Sequence, residues 1–109
     1  MAKPDSLQGS LDLLVLKILC RRPRLHGYAI MTAIQDISGE VLRVEEGSIY
    51  QALHRMEEAG WIRAEWITKS NGRRARIYEL TPAGRKQLVA AEARWQAVTS
   101  AVNRILRMA

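Results

Sequence analysis

Few residues in this chain are spaced for covalent chemistry. No serine lies in a nucleophile-elbow pattern, no glycine-rich phosphate loop occurs, and Cys20, His26 and His54 lack the spacing of a metal site. The chemistry on offer is recognition by hydrogen bonds and charge, and it is concentrated in residues 45–80. There Gln51 and His54 point away from an apolar stripe, with Ser48, Tyr50 and Arg55 on its flanks. Further on, the only charged residues between Trp66 and Tyr78 are Lys69, Arg73, Arg74 and Arg76, all positive. Glutamine can bond adenine in two places in the major groove, and lysine and arginine neutralise phosphates. Such a set suits a nucleic-acid reader and calls for no enzyme activity, cofactor or metal.

Two elements must position these groups. Ile49, Ala52, Leu53 and Met56 recur at three- and four-residue spacing, which makes one apolar face of a short helix. Gly47 and Ser48 offer its start, and Gly60 stands where a left-handed C-terminal residue is wanted. Glu57 and Glu58 at its far end would be repelled by phosphate, so the N-terminal half is the part expected to enter a groove. The β-prone runs 61–67 and 75–80 flank Asn71-Gly72, a strong hairpin signal. A two-residue turn there would set Trp66 opposite Ile77 and Lys69 opposite Arg74, a like-charge pair that a polyanion would relieve. Gln51 has a second reading. Ser48-x-x-Gln51 is a capping box, in which the glutamine folds back onto the helix start and is withheld from a ligand. His54 has no such competing duty, and Arg55 is better placed for phosphate.

The ordered segments Leu7-Gln8-Gly9-Ser10-Leu11-Asp12-Leu13-Leu14-Val15-Leu16, His26-Gly27-Tyr28, Gly47-Ser48-Ile49-Tyr50-Gln51-Ala52-Leu53-His54-Arg55-Met56-Glu57, Gly60-Trp61-Ile62 and Tyr78-Glu79-Leu80-Thr81-Pro82-Ala83-Gly84 resemble the PadR family of bacterial transcriptional regulators over nearly the whole chain. The resemblance implies a winged-helix repressor, dimeric through its terminal helices, on a palindromic operator. Gln51 stands where the family often has proline, so base contacts are not carried across. The fold expected is α+β, mainly α. It comprises a winged helix-turn-helix over 1–80 with a two-stranded wing and a long C-terminal dimerisation helix over 81–109.

The whole chain agrees with a polyanion-binding domain. Its 109 residues allow one domain whose limited burial favours oligomerisation, and its net charge of +6 suits DNA, RNA or an anionic membrane equally. No apolar run is long enough to span a bilayer, since Leu13 to Leu16 is stopped by Lys17, and the N-terminus lacks a signal-peptide pattern. A cytoplasmic protein is expected. The single cysteine, Cys20, allows no internal disulfide and reads as core. An RNA binder would expose more aromatic residues for stacking, and a protein-interaction module has no need of the outward polar set on the helix.

Taken in order, residues 1–5 read as a loose terminus. Ser6 is placed to cap a helix with Leu7, Leu11, Leu14, Val15, Ile18 and Leu19 on one face, ending at the arginines around Pro23. His26-Gly27-Tyr28 opens a second helix that buries Ile30, Ile34 and Ile37 and closes at Ser38-Gly39. Tyr28 in its first turn can reach a phosphate. After a linker in which Leu42 and Val44 are expected to be extended and partly buried come the short helix and the hairpin. Thr81 then caps the last helix with Pro82 in its first position. Leu88, Ala91, Trp95, Val98, Val102 and Ile105 follow alternating steps of three and four, a 3.5-residue seam. A helix from Pro82 to the end would be about 42 Å long, more than the body needs, so the seam is expected to pack on a second subunit. Two Trp95 indoles across such a dyad would form a flat slot for a small aromatic effector, and some proteins of the family it resembles sense such compounds.

Overall fold

The computed structural model describes residues 4–109, with side chains from residue 10 onward. Four helices and three strands follow in the order α1 (Pro4–Arg21), β1 (Leu25–His26), α2 (Gly27–Ile37), α3 (Glu46–Glu58), β2 (Ile62–Thr68), β3 (Arg74–Leu80) and α4 (Pro82–Leu106). The fold is mainly helical with a small antiparallel sheet. Helix α1 begins at Pro4, a residue suited to a first turn. Ser6 therefore lies inside α1 rather than at its cap, and Pro4 and Asp5, expected in a loose terminus over 1–5, are helical; residues 1–3 of that expectation and the Leu7 side chain lie outside the described residues.

One core joins the helices to the sheet. Val15, Leu16 and Leu19 of α1, Ile30, Ala33 and Ile34 of α2, and Ile49, Ala52, Leu53 and Met56 of α3 are buried together with Ile62, Tyr78 and Leu88. Each helix contributes a three- and four-residue stripe, so their polar faces are left outside. Ile37 departs from its expected place. The helix ends on it, Gly39 and Glu40 turn the chain with positive φ, and its side chain is 64% exposed.

Helix ends are set by local chemistry. His26 caps α2, its Nδ1 accepting from the Ala29 N–H at 3.2 Å. The Thr81 side chain accepts from the Gly84 N–H at 3.0 Å at the start of α4. At the end of α3, Gly60 has φ +81, its N–H reaches the Glu57 carbonyl, and the Trp61 N–H reaches the Met56 carbonyl. That double closure is the Schellman arrangement, and it aims the chain from α3 into β2.

The sheet has the order β1-β3-β2, all antiparallel. The wing is thus three-stranded rather than two-stranded, because the two-residue β1 between α1 and α2 pairs Leu25 with Tyr78 and His26 with Ile77. The register of the hairpin also differs from the expected one. Lys69 and Arg73 are bonded across the turn at 2.7 Å, the Gly72 N–H returns to the Lys69 carbonyl at 2.9 Å, and Gly72 has φ +84. The loop is therefore the three residues Ser70, Asn71 and Gly72, with the glycine in the left-handed position. One extra loop residue slips the register, so Trp66 faces Arg76 instead of Ile77, and Lys69 faces Arg73 instead of Arg74. This slip puts Trp66 on the same face of the sheet as Arg74 and Arg76.

Candidate nucleic-acid interface

Helix α3 starts at Glu46, with Glu45 as a cap that makes no side-chain hydrogen bond. Ser48 is the third helical residue, so the capping box does not form. Gln51 is exposed, with no side-chain hydrogen bond among the described residues, and Ser48 is exposed beside it. The earlier start brings Glu45 and Glu46 into or beside the first turn, where acidic groups favour the helix dipole. The stretch free of carboxylates is therefore the middle of α3, between Gly47 and Met56, rather than its whole N-terminal half.

His54 and Arg55, further along α3, are both engaged. His54 Nε2 lies 3.6 Å from Glu58 on the exposed face, a duty that outward pointing alone did not reveal. Arg55 turns back to the body, its Nη2 2.6 Å from Asp12 of α1. Burial raises the Asp12 carboxyl above its ordinary value, and the charge and hydrogen bond of Arg55 oppose that shift only in part. The pair orients α3 on α1 more than it stabilises the fold. A carboxyl whose folded pKa is raised contributes most below its unfolded value, about 4, and loses that contribution as pH rises through the folded value. In Asp12→Asn the loss is absent. The difference in thermal midpoint between this variant and the parent is therefore expected to move in the variant's favour from pH 3 to pH 7, a trend that paired melts would check. An unchanged difference across that range would count against it.

The wing and the two helix faces meet at a cleft of about 570 Å³. Tyr28 of α2, Tyr50 of α3, and Trp66, Lys69, Arg74 and Arg76 of the wing line it. Trp66 is 53% exposed, and the guanidinium groups of Arg74 and Arg76 sit 4.7 and 5.5 Å from the centre of its ring. The stacking holds both cations along one side of the wing. Arg76 is held a second time, by Glu57 at 2.6 Å, which ties the wing to the C-terminal part of α3. Tyr78 lies behind it, its phenol raised by burial with Arg76 opposing, so it stays neutral at neutral pH. At the tip, Lys69 and Arg73 are exposed and take part in no ion pair among the described residues. Gly27 permits the closeness of α2 and α3, since a Cβ there would lie 2.6 Å from the Tyr50 ring.

Of the ten residues singled out in the sequence for DNA, Tyr28, Tyr50, Lys69, Arg74 and Arg76 are brought together at this cleft. Ser48 and Gln51 are on the exposed side of the adjoining helix, Arg73 is at the tip, His54 lies toward the acidic end and Arg55 is turned inward. Trp66 was expected opposite Ile77, and its role as a platform for two arginines depends on the slipped register. Arg24, near the end of α1, is held by Glu65 at 2.5 Å and Glu79 at 3.6 Å on the opposite sheet face.

The seam of α4 divides. Leu88 is 5% exposed inside the core and Ala91 is half-buried, so Leu88 belongs to the protomer itself and not to a free seam. Lys17–Glu92 at 3.6 Å joins the same stretch to α1. Beyond it Trp95, Val98, Val102 and Ile105 are all exposed. The helix ends at Leu106, three residues before the end of the chain.

A family model described as the Transcriptional regulator PadR-like family matches residues 15–90. The chain belongs to this family. Among solved structures it is similar to a PadR family transcriptional regulator from Eggerthella lenta, with a TM-score of 0.80 and 27% identity over 95% of this chain and 88% of that one. A transcriptional regulator from Clostridium thermocellum has the same fold, with a TM-score of 0.85 over 98% of this chain and 100% of that one at 23% identity. A transcriptional regulator of Mycobacterium tuberculosis is 41% identical over half of each chain. An uncharacterised 37.1 kDa protein in a Streptomyces fradiae transposon is 45% identical over 71% of this chain, which spans only 20% of that protein. The PadR-like chain is thus a transcriptional regulator with a DNA-binding winged helix. No helix among the described residues is long and apolar enough to cross a membrane.

Proposed function

We propose that this PadR-like regulator is a cytoplasmic, homodimeric repressor that reads a palindromic operator, with α3 in the major groove and the wing on the flanking backbone. The observation that carries this reading is the cleft where Tyr28 and Tyr50 of the helices meet Trp66, Lys69, Arg74 and Arg76 of the wing, with Ser48 and Gln51 exposed on α3 and Arg73 exposed at the wing tip. Gln51 reads a base edge, since no capping bond withholds it. Ser48 and His54 flank it, and Tyr28 and Tyr50 reach phosphates. Arg55 and Arg76 act at one remove, fixing α3 against α1 and against the wing through Asp12 and Glu57. The exposed end of α4, with Trp95, Val98, Val102 and Ile105, supplies the two-fold contact, and two Trp95 indoles there would receive a small aromatic effector.

Selection of bound duplexes from a random pool tests this directly. Two half-sites about one helical turn apart are expected, and enrichment without symmetry would refute the palindrome. On the selected operator, Gln51→Ala is expected to cost about 1 to 3 kcal/mol with an unchanged thermal midpoint. His54→Ala should cost less, because Glu58 shares the imidazole. Retention of full discrimination by both variants would move sequence choice to the wing or to DNA shape.

The wing should supply affinity rather than choice of sequence. Arg73→Ala with Arg74→Ala is expected to weaken operator and random duplexes by similar factors and to flatten the salt dependence by about one to two units of slope per subunit. Loss confined to the operator, with the salt slope intact, would contradict it.

A further inference from the structure

At the other end of α2 from Tyr28, the last turns of α1 and α2 and the loop after α2 enclose a cleft of about 280 Å³. Its walls are aliphatic, from Leu14, Ile18 and Ile34, with Ile37 and Leu42 exposed at its mouth. Neither an aromatic ring nor a carboxylate lines it. Three cations do, and they are not equivalent. Lys17 is engaged with Glu92, whereas Arg21 and Arg22 are exposed, with no ion-pair or side-chain hydrogen-bond partner among the described residues. Helices α1 and α2 both end here and each brings about half a negative charge, so two guanidinium groups leave the mouth positive by about one unit.

We propose that this cleft is a binding site for an amphipathic anion of the medium-chain carboxylate class. The aliphatic tail would lie along Ile18 and Ile34, and the carboxylate would be taken by Arg21 and Arg22, whose forked donors match its two oxygens. Walls without a ring favour a chain over a stacked aromatic ligand. The volume is near the lower bound of about 300 Å³ for small-molecule sites, which suits a single chain and not a fused-ring compound. A second copy's exposed α4 end is a poor rival, since Arg104 and Arg107 stand among its apolar residues and would meet Arg21 and Arg22. The occupant would touch Leu42, in the segment that leads into α3.

Calorimetric titration of the full chain with octanoate, 1-octanol and acetate tests the site without reference to DNA. Octanoate is expected to bind at least ten-fold more tightly than octanol, and acetate not detectably. Arg21→Gln with Arg22→Gln should abolish the preference for octanoate with little change in thermal midpoint, because both side chains are exposed. Ile37→Glu, which sets a carboxylate at the mouth, should weaken octanoate ten-fold or more. Absence of octanoate binding, equal affinity for octanol, or a preference that survives the arginine changes would overturn the proposal. So would dissociation of an oligomer by Ile37→Glu in sedimentation, since that would make the cleft a contact between copies.

Discussion

Replacement of Gly84 by alanine is expected to destabilise the protein by about 2 kcal/mol net, although alanine is the better helix former. A Cβ at this position would lie 2.0 Å from the Trp61 carbonyl oxygen and 2.7 Å from a Leu80 methyl. The carbonyl is fixed, because it accepts the Thr81 N–H at 3.0 Å at the junction of sheet and helix. The first turn of α4 must therefore lift, and Leu88 one turn later would be drawn from the core. The gain of about 1 kcal/mol in helix propensity does not offset that displacement. With about 4 to 8 °C per kcal/mol for a domain near this size, the thermal midpoint should fall by on the order of 10 °C. Gly47→Ala is the matched control. Nothing lies within 4 Å of a Cβ there, so this change should be neutral or stabilising by up to about 1 kcal/mol. Equal midpoints for the two variants would show that α4 does not seat on Trp61 as described.

The second large effect is expected at the exposed half of α4. Val98→Asp with Val102→Asp should leave the protomer folded, since these side chains are 57% and 47% exposed in the single chain, yet dissociate the proposed dimer. Two charges per subunit would enter an apolar seam with no partner for either. Sedimentation should report a monomer, and operator affinity should fall by two or more orders of magnitude as the two half-sites cease to be bound together. A dimer that survives would move the two-fold contact elsewhere. Leu88→Asp separates the two halves of the seam. At 5% exposure in the core it is expected to unfold the protomer instead.

The seam illustrates what a repeat in a sequence carries. Spacing of three and four residues from Leu88 to Ile105 correctly implies one helical face, but a face can be divided between two neighbours. The near half meets α1 and the far half runs past it, a division set by where α1 lies. The hairpin is similar. Asn71-Gly72 marks the turn in either register, and the choice between a two- and a three-residue loop decides whether Trp66 stands with the arginines or across from Ile77.

What the sequence determined by itself is local. The apolar stripe of α3, the left-handed Gly60 and the Thr81-Pro82 start of α4 were all legible, because each depends on residues within about one helical turn or on the φ that glycine and proline allow. The tertiary structure decided the start of α3 three residues earlier than its capping pattern, the pairing of β1 with β3, and the partners of Arg55 and Arg76, which lie 43 and 19 residues away. It also decided that Gly27 and Gly84 are contact points, one against a ring and one against a carbonyl. These outcomes depend on distances between segments remote in the chain, where one side chain can satisfy several partners. Packing of the common core selects among them, and no periodicity within a single segment encodes that selection.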